Sequence, residues 1–141
     1  MATKRTAHTV WNGDLKQGDG TVSFDSSGMG DQPVSWASRA EEANGKTSPE
    51  ELIAAAHSSC FSMALSNGLA GAGTPPTRLN TQAEVTFVPG TGITGIHLTV
   101  QGEVPGLDES GFVSAAEDAK AGCPVSQALK GTEITLTAKL A

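Results

Sequence analysis

Residues 48–66 read Ser48-Pro49-Glu50-Glu51-Leu52-Ile53-Ala54-Ala55-Ala56-His57-Ser58-Ser59-Cys60-Phe61-Ser62-Met63-Ala64-Leu65-Ser66, and they spell a helix with a marked beginning. Ser48 is suited to cap it. Pro49 fits the first helical position, where its missing N–H costs nothing, and Glu51 follows Ser48 at the capping-box spacing. Leu52, Ile53, Ala56, Ser59, Cys60, Met63 and Ala64 recur at three- and four-residue intervals. The helix is expected to run to about Leu69, where Gly68, Gly71 and Gly73 end it and Pro75-Pro76 forbids its return. Its Ala and Ser residues lie on several faces, which predicts close burial.

Working outward, Gly and Pro cut the rest of the chain into short elements. Segments 7–13 and 20–25 read as strands around an Asp14–Gly20 turn, and Val34 to Arg39 reads as a third strand. Downstream, Ala83, Val85 and Phe87 alternate, as do Ile96, Leu98 and Val100, with Pro89-Gly90-Thr91-Gly92 between them: a hairpin. Asp108 to Ala121 reads as an amphipathic helix stopped by Gly122. Pro124 then sits at a first helical position, so Cys123 becomes the cap of a short helix over 124–130. Ile134, Leu136 and Ala138 alternate in a last strand. Helices that do not alternate singly with strands predict an α+β, two-layer arrangement, and no linker is long enough to divide residues 1–141 into two domains.

Composition excludes several function classes. The chain of 141 residues has a net charge of -6, and its nine Lys and Arg are scattered, so it lacks the basic footprint of a nucleic-acid binder. Anionic membrane surfaces are disfavoured for the same reason. No apolar run follows the basic residues near the start, and Leu52–Leu65 is too short and too polar to span a bilayer. The expected address is the cytoplasm. There, two cysteines point to catalysis, metal binding or inert packing rather than to a structural disulfide.

The two cysteines differ in what could activate them. A thiolate is the nucleophile, and an ordinary Cys is mostly protonated at neutral pH. Cys123 stands at a predicted helix N-terminus, where exposed N–H groups favour the thiolate. Cys60 lies three turns into its helix, beyond that influence, and needs a cation from elsewhere. Arg39 is the candidate, with Glu50 or Glu51 to orient it. Glu50 and Cys60 are ten residues apart, about 15 Å along one helix, so a site shared by two chains is favoured.

Position alone leaves Cys60 better explained by packing, since Cys is among the most buried residue types. Cys123 is balanced between packing and chemistry. His57, three residues before Cys60, shares a helix face with it. A thiol–imidazole site for acyl transfer is one reading of that pair; a helical His satisfied by a neighbour is the simpler one. Metal binding lacks enough ligands, His8 and His97 have no ligand spacing, and no CxxC occurs.

The helix stretch 48–66 resembles the signature of the OsmC/Ohr family, the osmotically inducible protein C and organic hydroperoxide resistance proteins. Ala119-Lys120-Ala121-Gly122-Cys123-Pro124-Val125-Ser126-Gln127-Ala128-Leu129 resembles the family's second cysteine motif. Ala7-His8, Trp11-Asn12-Gly13-Asp14 and Gly18 to Val22 are similar to the OsmC branch, as is His57 before the cysteine. The resemblance implies an α+β two-layer fold, antiparallel sheets with a central buried Cys-bearing helix, and an intertwined homodimer. It implies a thiol-dependent, cysteine-based peroxidase, an antioxidant of the oxidative and osmotic stress response. Cys60 would be the attacking cysteine, Cys123 the resolving one, Arg39 the catalytic arginine and Glu50 its orienting carboxylate. The family usually has an aromatic residue after that arginine; here Ala40 follows.

The implied chemistry runs through a Cys60 sulfenic acid and a Cys60–Cys123 disulfide, which an external thiol or a dithiol such as dihydrolipoamide reduces, with no cofactor or metal. An apolar pocket formed by Leu52, Phe61 or Met63 would favour organic hydroperoxides over hydrogen peroxide. A Cys60–His57 acyl-transfer or hydrolase site and a non-enzymatic, stress-induced binding dimer are the alternatives.

Overall fold

The computed structural model describes all 141 residues and resolves into two compact units, Met1–Leu52 and Ile53–Ala141. In the first, β1 (His8–Asn12), β2 (Asp19–Ser23) and β3 (Gln32–Val34) form an antiparallel sheet in that order. Gly20 lies opposite Trp11, and a Cβ there would fall 2.7 Å from the indole ring, so only glycine admits this cross-strand contact. Every residue of β1 is exposed.

The expected strand over 34–39 is corrected by the structure. β3 stops at Val34, and α1 (Trp36–Ala40) carries Arg39 in its last turn. The cause is local: Ser35 Oγ accepts from Ser38 N–H, and Ser38 Oγ reciprocates to Ser35 N–H, a capping box made of two serines. Asn44 and Gly45 then turn through positive φ, at 48° and 76°. Helix α2 (Pro49–Gly71) begins as expected, with Ser48 Oγ accepting from Glu51 N–H. The capping box is only half made, because the Glu51 carboxylate accepts from Thr47 Oγ1 at 2.6 Å.

The second unit holds the remainder of α2, then β4 (Arg78–Val88), β5 (Gly92–Glu103), α3 (Glu109–Gly122), α4 (Pro124–Ala128) and β6 (Ile134–Leu140). Its sheet has the order β4-β5-β6. β4 and β5 form the expected hairpin, but β5 and β6 run parallel, so this sheet is mixed where antiparallel sheets were expected. Two helices lie between β5 and β6 in the chain. They are long enough for the crossover that parallel pairing requires.

Along α2, His57, Phe61, Leu65 and Leu69 repeat every fourth residue and make one buried stripe. Phe61, Leu65 and Leu69 meet Leu98 and Val100 of β5 and Phe112, Ala116 and Ala119 of α3 in a single core that includes Cys123. Phe112 rests on bare backbone: a Cβ at Gly102 would lie 2.5 Å from its ring. Other faces of α2 are open, and Met63 is 72% exposed, so in the single chain the helix is buried along one stripe only. No helix is long and apolar enough to cross a membrane.

Candidate active site

Cys123 is the hinge between two helices. Its N–H closes α3 onto Ala119 C=O at 2.9 Å, and its extended backbone, φ −58° and ψ 131°, starts α4 at Pro124. Its side chain is completely buried. Cys60, midway along α2, is partly exposed, and both thiols are free. The two side chains are near enough that each shifts the ionisation of the other. The fold therefore brings together a pair that the sequence separates by 63 positions and that no short motif announces.

Burial raises the Cys60 pKa. Donating to Cys123 and standing beside its charge raise it further, against an opposing contribution from Val125 N–H. Burial also works against a Cys123 thiolate. Hydrogen bonds from Cys60, from Ser126 N–H and hydroxyl, and from Val125 N–H outweigh it and hold Cys123 below the ordinary thiol range. These N–H groups face the sulfur without completing a regular capping bond. The two thiols titrate together, with Cys123 the more readily ionised of the two.

Access follows the opposite order. Cys60 lines a groove of about 770 Å3 with Met63, Asn67, Ala115, Asp118 and Pro124. Met63 stands on its rim; Phe61, also a candidate pocket residue, is 0% exposed in the core.

Arg39 and Glu50 form a separate cluster within the first unit. Arg39 Nε donates to Glu50 Oε1 at 3.1 Å and Oε2 at 3.2 Å, and Nη2 donates to Oε2 at 2.9 Å. Glu50 is 7% exposed. This carboxylate, not that of Glu51, receives the guanidinium, because Glu51 is engaged by Thr47. Arg39 also borders a cavity of about 390 Å3 with Trp11, Leu15, Trp36 and Leu52, mostly apolar walls beside one fixed cation. Leu52 thus lines a cavity, on the side of Arg39.

The matching family model is OsmC, described as OsmC-like protein, over residues 42–139. The chain belongs to the OsmC family. It is 49% identical over 143 aligned residues to Peroxiredoxin OsmC of Escherichia coli (strain K12), covering 99% of each chain. Among solved structures, an OsmC-like protein from Mycoplasma pneumoniae superposes with a TM-score of 0.75 at 14% identity, over 100% of this chain and 99% of that one. The organic hydroperoxide resistance protein OhrB of Bacillus subtilis gives 0.66 at 23% identity, over 96% and 98%. At such identities these structures speak to the fold alone, which is the mixed α+β fold of OsmC-like proteins.

Within this OsmC-family chain, His57 does not pair with Cys60. Its Nε2 lies 2.7 Å from Ser126 Oγ, and its Nδ1 is buried without any partner. The acyl-transfer reading therefore lacks its base. Ser126 was not singled out as a functional residue. The available signal was its place three residues after Cys123, on the same face of the predicted short helix. No three His, Cys, Asp or Glu side chains converge as a metal site would require.

Proposed function

We propose that this chain is a thiol-dependent peroxidase of organic hydroperoxides, acting on hydrogen peroxide more weakly. The observation that carries the reading is the pair of neighbouring free thiols, one partly exposed and one buried, in a chain 49% identical to a peroxiredoxin over 99% of its length. Cys60 as thiolate attacks the distal peroxide oxygen. An S–O bond forms, the O–O bond breaks, the alcohol leaves after taking a proton, and Cys60 becomes a sulfenic acid. Cys123 then attacks the Cys60 sulfur; its proton and the hydroxyl leave as water, and a disulfide remains. An external dithiol such as dihydrolipoamide returns both thiols, in the cytoplasm, where thiols stay reduced.

Cys60 needs a positive charge to become the reacting thiolate, since its own surroundings raise its pKa. Arg39, oriented by Glu50, is the proposed source, acting across a homodimer whose subunits complete each other's sites. The open faces of α2 and β1, with Met63 72% and Val10 55% exposed, are surfaces such a dimer would cover. The apolar cavity beside Arg39 suits the organic part of a hydroperoxide.

The test is consumption of cumene hydroperoxide and hydrogen peroxide with dithiothreitol or dihydrolipoamide as reductant. Turnover with both, faster with cumene hydroperoxide, and its loss in Cys60→Ser are expected. Full activity in Cys60→Ser overturns the assignment, and hydrolysis of esters without thiol consumption would favour acyl transfer.

A further inference from the structure

His57 and Ser126 have no part in the chemistry above, yet both are buried, at 0% and 4% exposure. Burying an imidazole and a hydroxyl is costly unless each is hydrogen-bonded. Their mutual contact is 2.7 Å, Nε2 to Oγ, and it joins α2 to α4 across 69 positions of sequence. Burial lowers the His57 pKa, so the ring is neutral and carries one proton.

The bare Nδ1 decides where that proton sits. On Nδ1 it would be a buried N–H donor with no acceptor, and Nε2 would consume the serine hydrogen. On Nε2 it is donated to Oγ, only a lone pair is left bare, and the serine hydrogen is available to a further acceptor. That acceptor is present. Ser126 lies one helical turn after Cys123, at the start of the same short helix, and it acts to lower the Cys123 pKa.

We propose that His57 and Ser126 are positioning residues for the resolving cysteine: His57, as its Nε2–H tautomer, turns the Ser126 hydroxyl onto the Cys123 sulfur and stabilises negative charge there. The inference deepens the peroxidase reading and rests on it. The pair exchanges no proton. The first ionisation leaves one proton between the two sulfurs, on Cys60 while Cys123 holds the charge. For Cys60 to attack, that proton moves to Cys123. When Cys123 later attacks the sulfenic acid, the same proton leaves with the hydroxyl as water, and the Ser126 hydroxyl donates to the charge that develops on Cys123 meanwhile. The titratable group acting on Cys123 is Cys60 from α2, and His57 of α2 reaches it only through Ser126. α4 carries no charged side chain, Lys120 in the last turn of α3 is paired with Glu117 at 3.2 Å, and the adjoining β5 and β6 core residues are apolar.

The chain contains no tyrosine, so its absorbance rise near 240 nm with pH reports thiolates without phenolate overlap. In a Cys60→Ser background the titration belongs to Cys123 alone. Adding Ser126→Ala is expected to raise its midpoint by about one to two pH units, the worth of one hydrogen bond to an anion. Ser126→Thr, which keeps the hydroxyl, is expected to restore it; a role in packing alone would shift thermal stability and leave the midpoint in place. An unmoved midpoint in Ser126→Ala overturns the proposal. Imidazole nitrogen NMR on the unsubstituted protein gives a second test that needs no variant to fold: His57 is expected as Nε2–H, and an Nδ1–H tautomer overturns it. Neither measurement uses peroxide, so their failure is distinct from a failure of the peroxidase reading.

Discussion

Replacing Glu50 by glutamine tests whether a fixed guanidinium matters to the reaction. Three N–H···O contacts between 2.9 and 3.2 Å hold Arg39 on the carboxylate. The amide keeps one acceptor oxygen but turns an NH2 group toward the arginine's donors and removes the charge. A hydrogen bond to a charged group is worth about 1.5–3 kcal/mol against about 0.5–1.5 for a neutral one. Arg39 keeps 31% of its side chain exposed, and water screens part of that difference. A net loss of about 2 kcal/mol follows. Expressed in the transition state it lowers kcat/KM about 30-fold. Expressed in folding it lowers the thermal midpoint by about 4–8 °C, which leaves the protein folded at assay temperature. The assay is initial-rate consumption of cumene hydroperoxide with dithiothreitol, beside a thermal melt of the same preparation. A Glu50→Gln enzyme within about threefold of the parent would refute the claim that Arg39 must be held in place.

Cys123→Ser should react once with peroxide and stall, with mass spectrometry showing sulfenic or overoxidised Cys60; in the parent, absence of a Cys60–Cys123 disulfide after peroxide would remove Cys123 from the cycle. His57, its pKa lowered in the fold, takes up a proton more readily when unfolded, so stability should fall as pH drops below about 6.5, by at most about 1.4 kcal/mol per unit. Urea unfolding from pH 7.5 to 5.5 should show this slope, and His57→Gln should flatten it; the exposed His8–Asp25 pair, which raises the His8 pKa, acts with the opposite sign. Phe112→Ala should cost about 3–5 kcal/mol, read as a lower urea midpoint at unchanged slope, because the ring is wholly buried and seated on Gly102.

Elements governed by neighbours in sequence were legible before the structure. Pro49 and Ser48 set the start of α2, Asp108 marked the start of α3, and Pro124 made Cys123 a helix boundary. What depended on distant partners was not. The alternation of Val34, Trp36 and Ser38 imitates a strand, and only the reciprocal Ser35–Ser38 bonds show a helix there. The pattern of β6 gave its buried face but not its direction, which the crossover through α3 and α4 decides. Position alone left Glu50 and Glu51 equal; the family resemblance pointed to Glu50, and the engagement of Glu51 by Thr47 gives the physical reason. The His57–Ser126 bond, between residues 69 positions apart, leaves no trace in local spacing.

The two cysteines carry opposite assets, which would set their order of action in the proposed cycle. The network of Val125, Ser126 and Cys60 places charge on Cys123, but Cys123 has no exposure through which a peroxide could reach it. Cys60 opens onto a groove but holds the proton. A peroxide therefore meets a thiol at rest. On the proposed mechanism, reaction requires one proton to pass from Cys60 to its neighbour Cys123, and a cation beside Cys60 would make that transfer favourable. Such an arrangement keeps the accessible sulfur protonated until the cation is in position, which limits indiscriminate oxidation. Once Cys60 were a sulfenic acid, the buried sulfur would already be its neighbour, so the proposed resolution would need no search for a partner. In the proposed cycle, burial bars Cys123 from being the first nucleophile, and its readiness to ionise suits it to be the second.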